Sequence, residues 1–430
     1  MFAFLQRDAP GIAQVYFPGS APPPVEAFGR LRDLRIEVEP LRTTDDAMLW
    51  EAKLRHPDWG DARIAYIRDG PPAEPFVRFA GSLTREEKDA ASGPTVGIAL
   101  TVPARRKVVL ADRKTMLRFV RALLGDDGVV AIDMASQLSW GRAGLDEELA
   151  HDADLDIASL YCLHIVQDDA TGGPEAGSTW MHTHGLHELG AFDLDVLAAH
   201  PTFVASSPDL FRALAFRALG GDITPGTDRV QYAFPRFELA LVPADRFMRE
   251  AAPQWRALRD ADHHDDHRVV LCDPSRRRLF GLGGGSGPEP LSLARRRFPE
   301  PFAAMFPNDA TALMARRAEA TVGLFRSLAA EFEPYGVHVL AKLGLATRSG
   351  GREHLWFEVH DFGDADLDGT LVNRPIDVDL REGARGRYPF DLLTDWTIVT
   401  PIGEINPRSQ LVARNLRTHG AEVLEAMRKR

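Results

Sequence analysis

Three histidines stand within six positions in Trp180-Met181-His182-Thr183-His184-Gly185-Leu186-His187. Side chains alternate along a strand, so His182 and His184 can present two imidazoles to one ion, with His187 or an acid as third ligand. Zinc or manganese held in this way activates water in hydrolases. Such a site needs further ligands from the ends of other strands. His164, Asp133, Asp193 and Asp195 are the nearest candidates, and nothing in the sequence joins them. A second reading needs no ligand: Met181 and Thr183 face the core, His182 and His184 hydrogen-bond on a loop-side surface, and Gly185 makes the turn. A third gives the histidines to recognition of a ligand or partner. Because the catalytic set is incomplete, the adopted reading is non-catalytic and without cofactor. A zinc or manganese hydrolase at His182, His184 and His187 is the alternative.

Other constellations are thinner. His263-His264-Asp265-Asp266-His267 is rich in donors, but adjacent residues on a loop rarely converge on one ion without a scaffold. Ser206-Ser207-Pro208-Asp209 reads as a helix cap, since no Gly-x-Ser-x-Gly elbow is present. Gly281-Leu282-Gly283-Gly284-Gly285-Ser286-Gly287-Pro288 has neither the Gly-Lys-Ser/Thr ending of a phosphate loop nor the spacing of a dinucleotide site, and reads as a linker. The runs Arg276-Arg277-Arg278 and Arg295-Arg296-Arg297 flank it as solvated or internally paired charge. Trp356 and Trp396 are candidate partner-binding residues, with core packing as the competing use.

The elements that must position these residues follow from periodicity. Ala13 to Phe17, Arg35 to Glu39, Met48 to Leu54 and Arg63 to Ile67 alternate like strands, and Val25 to Leu31 reads as a short helix. Gly97 to Val102, a helix from Asp112 to Leu124 and Val129 to Asp133 form a strand–helix–strand unit, which implies a partly parallel sheet. Leu160 to Val166, Phe192 to Val196, Glu238 to Val242 and Arg268 to Cys272 complete the central strands. Pro253 should kink or split the helical pattern from Ala244 to Arg259. A long helix runs from Asn308 or Asp309 to Phe332. Short strands and tight turns then fill His354 to Val399, the rhythm of a small barrel or curled sheet.

Length and charge bound the rest. A chain of 430 residues exceeds one ordinary core. A net charge of -11 disfavours a nucleic-acid binder, which needs a basic face, and suits a basic protein partner. No apolar run long enough for a bilayer occurs. The start does not read as a signal peptide, and Cys162 and Cys272, both in apolar runs, read as reduced thiols. The expectation is a cytoplasmic bacterial protein, the origin suggested by arginine far outnumbering lysine.

Glu353-His354-Leu355-Trp356-Phe357-Glu358-Val359, Gly369-Thr370-Leu371-Val372-Asn373-Arg374-Pro375, Leu380-Arg381-Glu382-Gly383 and Leu393-Thr394-Asp395-Trp396 occur in this order. Together with Ala294-Arg295-Arg296-Arg297-Phe298-Pro299 they make residues 290 to 403 resemble the YegJ-like family of bacterial domains of unknown function. Ala384-Arg385 departs from that pattern, where an acid and an apolar residue are usual. The stretch Trp180 to Leu186, with Gly190 and Asp193-Leu194-Asp195, resembles an uncharacterised bacterial domain and, more distantly, suppressor-of-fused-like domains that include immunity-type proteins. The resemblance implies no reaction and carries over no catalytic residue. It implies a protein-interaction role of immunity type.

The expected architecture is multidomain α+β, with mixed sheets and packed helices. It divides into an α+β unit over 1–95, a central α/β unit over 96–280, a linker over 281–290, a YegJ-like helix plus small β-barrel-like unit over 291–403, and a helical tail over 404–430.

Overall fold

The computed structural model describes residues 10–43, 46–78, 80–103, 109–166, 179–232, 237–259, 267–274, 287–296 and 308–428. The chain is α+β, with three sheets and packed helices among the described residues. Strands β1 (Gly11–Pro18), β2 (Glu37–Leu41), β3 (Met48–His56), β4 (Gly60–Ile67), β5 (Thr95–Val102), β6 (Val130–Asp133) and β7 (Ser139–Trp140) form the first sheet, in the order β2-β3-β4-β5-β1-β6-β7. Its ladders are antiparallel throughout. β1 is buried on both faces. Ala13, Val15 and Phe17 enter one core, and Tyr16 enters another with Val130 and Ile132. A strand of this kind belongs in the middle of a sheet, and β5 and β6 flank it. Those two strands run in the same direction, joined by helix α3 (Val109–Leu124), but β1 lies between them.

The first sheet runs across the expected boundary at residue 95. The segment assigned to the central unit supplies three strands of the first sheet: β5 and β6 pair with β1, and β7 pairs with β6. The opposite face is covered by α1 (Glu74–Val77) and α2 (Arg85–Ser92). Thr84 and Glu87 close α2 with a reciprocal capping box: the Thr84 hydroxyl accepts from Glu87 N–H (3.2 Å) and Glu87 accepts from Thr84 N–H (2.8 Å). Helix α4 (Arg142–Leu149) leads out of the first sheet.

The second sheet has the order β11-β12-β13-β10-β9-β8. Its strands are β8 (Cys162–Val166), β9 (Thr179–His184), β10 (Asp193–Ala199), β11 (Val230–Tyr232), β12 (Phe237–Pro243) and β13 (Arg268–Cys272). β10 and β13 are parallel and the other pairs antiparallel. One face carries Met181, Leu194, Val196, Val269 and Leu271. It packs on α5 (Pro201–Ser206) and α6 (Pro208–Leu219), and its core is continuous with that of the first sheet. The other face packs Trp180, Leu197, Val270 and Cys272 beneath α7 (Ala244–Glu250), with Trp255 of α8 (Pro253–Arg256) alongside. Pro253 separates these two helices at the expected point.

Residues 275–286, which hold most of the proposed Gly/Pro linker and the 276–278 arginines, lie outside the described residues. Their flanks are drawn together: Asp273 N–H donates to Glu289 O (3.0 Å), and Leu291 N–H to Leu271 O (3.0 Å). Leu291 and Ala294 are buried in the shared core, so this segment returns to β13 rather than ending a domain. Arg295 lies over the Trp255 ring at 4.8 Å, and Arg297 lies outside the described residues.

The long helix expected after it is two, α9 (Asn308–Ala320) and α10 (Val322–Phe332), broken at Thr321. The third sheet is antiparallel, in the order β17-β16-β15-β14-β18-β19. Its strands are β14 (His338–Ala346), β15 (Arg352–Phe362), β16 (Asp366–Leu371), β17 (Arg385–Pro389), β18 (Leu393–Thr400) and β19 (Gly403–Ile405). It stays open, with β17 and β19 at its edges, and does not close into a barrel. Its core is its own, built with α9, α10 and the C-terminal helix α11 (Leu411–Arg428). No helix among the described residues is long and apolar enough to cross a membrane.

Candidate functional site

The second sheet is polar at one end of the face covered by α7. Register explains the convergence: His164 of β8 sits opposite His182 of β9, and His182 sits opposite Asp195 of β10. His184, two residues on, is opposite Cys162 and joins the same face. The three imidazoles form a triangle with ring centroids 5.2 Å (His164–His182), 4.8 Å (His164–His184) and 4.9 Å (His182–His184) apart. One ligand nitrogen from each lies within 4.8 Å of the others. His182 is only 1% exposed, so it is not on a loop-side surface. Its ring packs on Trp180 with centroids 4.1 Å apart.

His187 does not join the triangle. Its Nδ1 pairs with the buried Asp193 carboxylate. Gly185 turns the chain away at φ +112°, and a Cβ there would approach Leu160 O and Ser136 Cα to 2.8 Å. Asp193 also accepts from the Thr183 hydroxyl (2.8 Å) and from Leu186 N–H (3.2 Å), so Thr183 is tied to this turn. The hydrogen bond His187 donates to Asp193 raises the His187 pKa against the opposing effect of burial. Burial works against the Asp193 carboxylate, but His187, Arg268 and Thr183 together hold its pKa below the usual value.

Asp195 is fully buried between two guanidiniums, Arg259 at 2.9 Å and Arg268 at 2.8 Å. Burial pushes its pKa up, and the two arginines oppose that push. Arg268 also donates to Thr183 O (2.9 Å) and to His184 Nδ1 (3.3 Å). His164 is held in the neutral direction by burial and by Arg268. Burial lifts the Cys162 thiol pKa to about 12.

The triangle joins His182 and His184 to His164, the first of the further ligands considered from the sequence, and leaves out His187. Leu160 to Val166 reads as a strand from sequence, but only the β8–β9 register sets His164 opposite His182. Asp133 belongs to the first sheet, where Arg113 holds it at 3.0 Å. Of the 263–267 cluster only His267 is among the described residues. It has φ +65°, and its carbonyl accepts from Asp193 N–H.

The two tryptophans take different places. Trp396 is fully buried, stacked on Phe325 at 4.8 Å, with its Nε1 donating to Thr321 Oγ1 (2.9 Å). It is a core residue and presents no surface to a partner. The same Thr321 hydroxyl donates to Arg317 O, which accounts for the break between α9 and α10. Trp356 is half-buried on the opposite face, under Lys342 Nζ at 5.2 Å. No family model, curated protein or solved structure matches this chain.

Proposed function

We propose that this is a non-catalytic metal-binding protein that takes a divalent first-row metal, zinc by its donor set, at His164, His182 and His184. The convergence of three imidazoles on one buried sheet face carries the reading. Tetrahedral zinc, at about 2.0–2.1 Å from each ligand, sets its nitrogens about 3.3 Å apart. The present nitrogens are within 4.8 Å, so modest ring rotations suffice. The non-catalytic half rests on the acids. A carboxylate that is to take a proton from metal-bound water must be free to do so. Asp193 is bound to His187 and Thr183, and Asp195 to two arginines.

Elemental analysis of untagged protein, with His164→Ala, His182→Ala and His184→Ala alongside, tests this reading. Stoichiometric zinc or manganese, lost in each variant, is expected. A metal-free protein that also fails to take up added zinc refutes it. Turnover of an activated ester by the loaded protein, abolished in His184→Ala, would replace it with the hydrolase reading.

A second proposal concerns the C-terminal unit and follows the protein-interaction role. Val372 is 41% and Ile376 74% exposed, and Val372 N–H pairs with the Trp356 carbonyl, so an exposed apolar residue lies beside the strand of the half-buried indole, with a second, Ile376, four residues on. Co-purification with the product of a neighbouring gene, lost in Ile376→Asp, is the expected result. We place the protein in the cytoplasm, a setting consistent with the free thiols of Cys162 and Cys272.

A further inference from the structure

The three imidazoles of the second sheet occupy three corners of a four-cornered figure. β8 and β9 oppose each other there in two pairs, His164 with His182 and Cys162 with His184. Opposed residues of an antiparallel ladder share a face, and so do residues two apart on one strand. The fourth corner is therefore Cys162, on the face that carries the histidines. Opposed Cβ atoms lie about 4.5–5.5 Å apart, close enough for both side chains to share one ion.

Three imidazoles leave a tetrahedral zinc one ligand short. The acids nearby are engaged, Asp193 by His187 and Thr183, Asp195 by Arg259 and Arg268. Gly185 carries His187 away from the triangle. Cys162 is a free, half-buried thiol on β8, an edge strand among the described residues. The other free thiol, Cys272 of β13, is buried in the apolar cluster under α7, with β10 between its strand and β9. The Cys162 sulfur is not one of the three atoms now within 4.8 Å, so a rotation about its Cα–Cβ bond accompanies binding. The ion also replaces the proton on sulfur, which leaves to solvent, since a coordinating thiol is deprotonated outright.

We propose, on the footing of the metal-binding function given to the three histidines, that Cys162 is the fourth ligand of this centre and completes a three-histidine, one-cysteine zinc site. A centre closed in this way keeps no position for water, which is the mark of a structural rather than a hydrolytic zinc. All four ligands come from two adjacent strands, so the ion clamps the edge strand β8 onto β9.

The test is the absorption spectrum of the full chain titrated with cobalt(II), beside Cys162→Ser and Cys162→Ala. Cobalt in a zinc site reports a thiolate ligand by a sulfur-to-metal charge-transfer band in the near ultraviolet, and tetrahedral coordination by separate visible bands. The parent is expected to show both. Both variants should keep visible bands through their histidines, lose the ultraviolet band and bind cobalt at least roughly tenfold more weakly. Visible bands without the ultraviolet band in the parent, or an ultraviolet band that survives in the variants, overturn the thiolate ligand and leave the three histidines as a metal site. A parent that binds no cobalt overturns the metal-binding function and the fourth ligand together.

Discussion

The second and third sheets carry the same kinds of charge in opposite settings. On the third, Arg385 pairs with Asp368, and Arg387 with Asp366 and Asp361, all facing water. On the second, Asp195, Arg259 and Arg268 are almost wholly removed from solvent beside three histidines. Exposed pairs of the first kind contribute little and cost little. Buried pairs of the second kind lose hydration that well-packed apolar residues would not have to give up, so their retention asks for a reason beyond stability.

The largest break in this contrast should come from Asp195→Ala. It leaves two buried guanidiniums without their carboxylate and should cost about 3–5 kcal/mol in urea unfolding. An unchanged midpoint would mean that water already reaches the pair.

Arg268 gives a sharper test. A neutral His184 that accepts at Nδ1 carries its proton on Nε2, so neither nitrogen then offers a lone pair to metal. Metal binding must displace that contact. Arg268→Gln should therefore tighten zinc binding, by roughly tenfold in a chelator competition; weaker binding would show that Arg268 supports the ligand instead.

His151 stands outside both sheets. Its folded pKa of about 4 lies below the ordinary 6.5, so the unfolded chain takes up the proton first as pH falls. Stability should be full above 6.5 and decline as pH drops through that window. His151→Gln should flatten the decline in unfolding midpoints measured across it. The smallest effect belongs to Arg385→Ala, whose unfolding curve should overlay that of the parent; a clear loss would erase the distinction between the two sheets.

Local pattern carried much of this fold. Leu355, Phe357 and Val359 alternate into the core as their sequence suggests, and Pro253 divides α7 from α8 because proline removes a helical donor. Pairing over distance was not legible. Nothing near Gly97 says that its strand will lie against β1, and that pairing carries the sheet across residue 95. The site shows the same division. Alternation put His182 and His184 on one face, whereas His164 depended on the register between β8 and β9. His187 looked equivalent by spacing, but Gly185 turned it toward Asp193. Trp356 and Trp396 are both strand residues, and only the placement of α10 decides which one is covered.

The core shared by the first two sheets bears on how the molecule comes apart. Phe28, Leu100, Met181, Phe211 and Leu291 belong to one apolar cluster, whereas Phe325, Phe357 and Trp396 belong to another. Heat or denaturant should find two cooperative blocks rather than three, the larger one including the histidine triangle. A truncation at residue 95 would strip β1 of β5 and β6 and expose that cluster on both pieces.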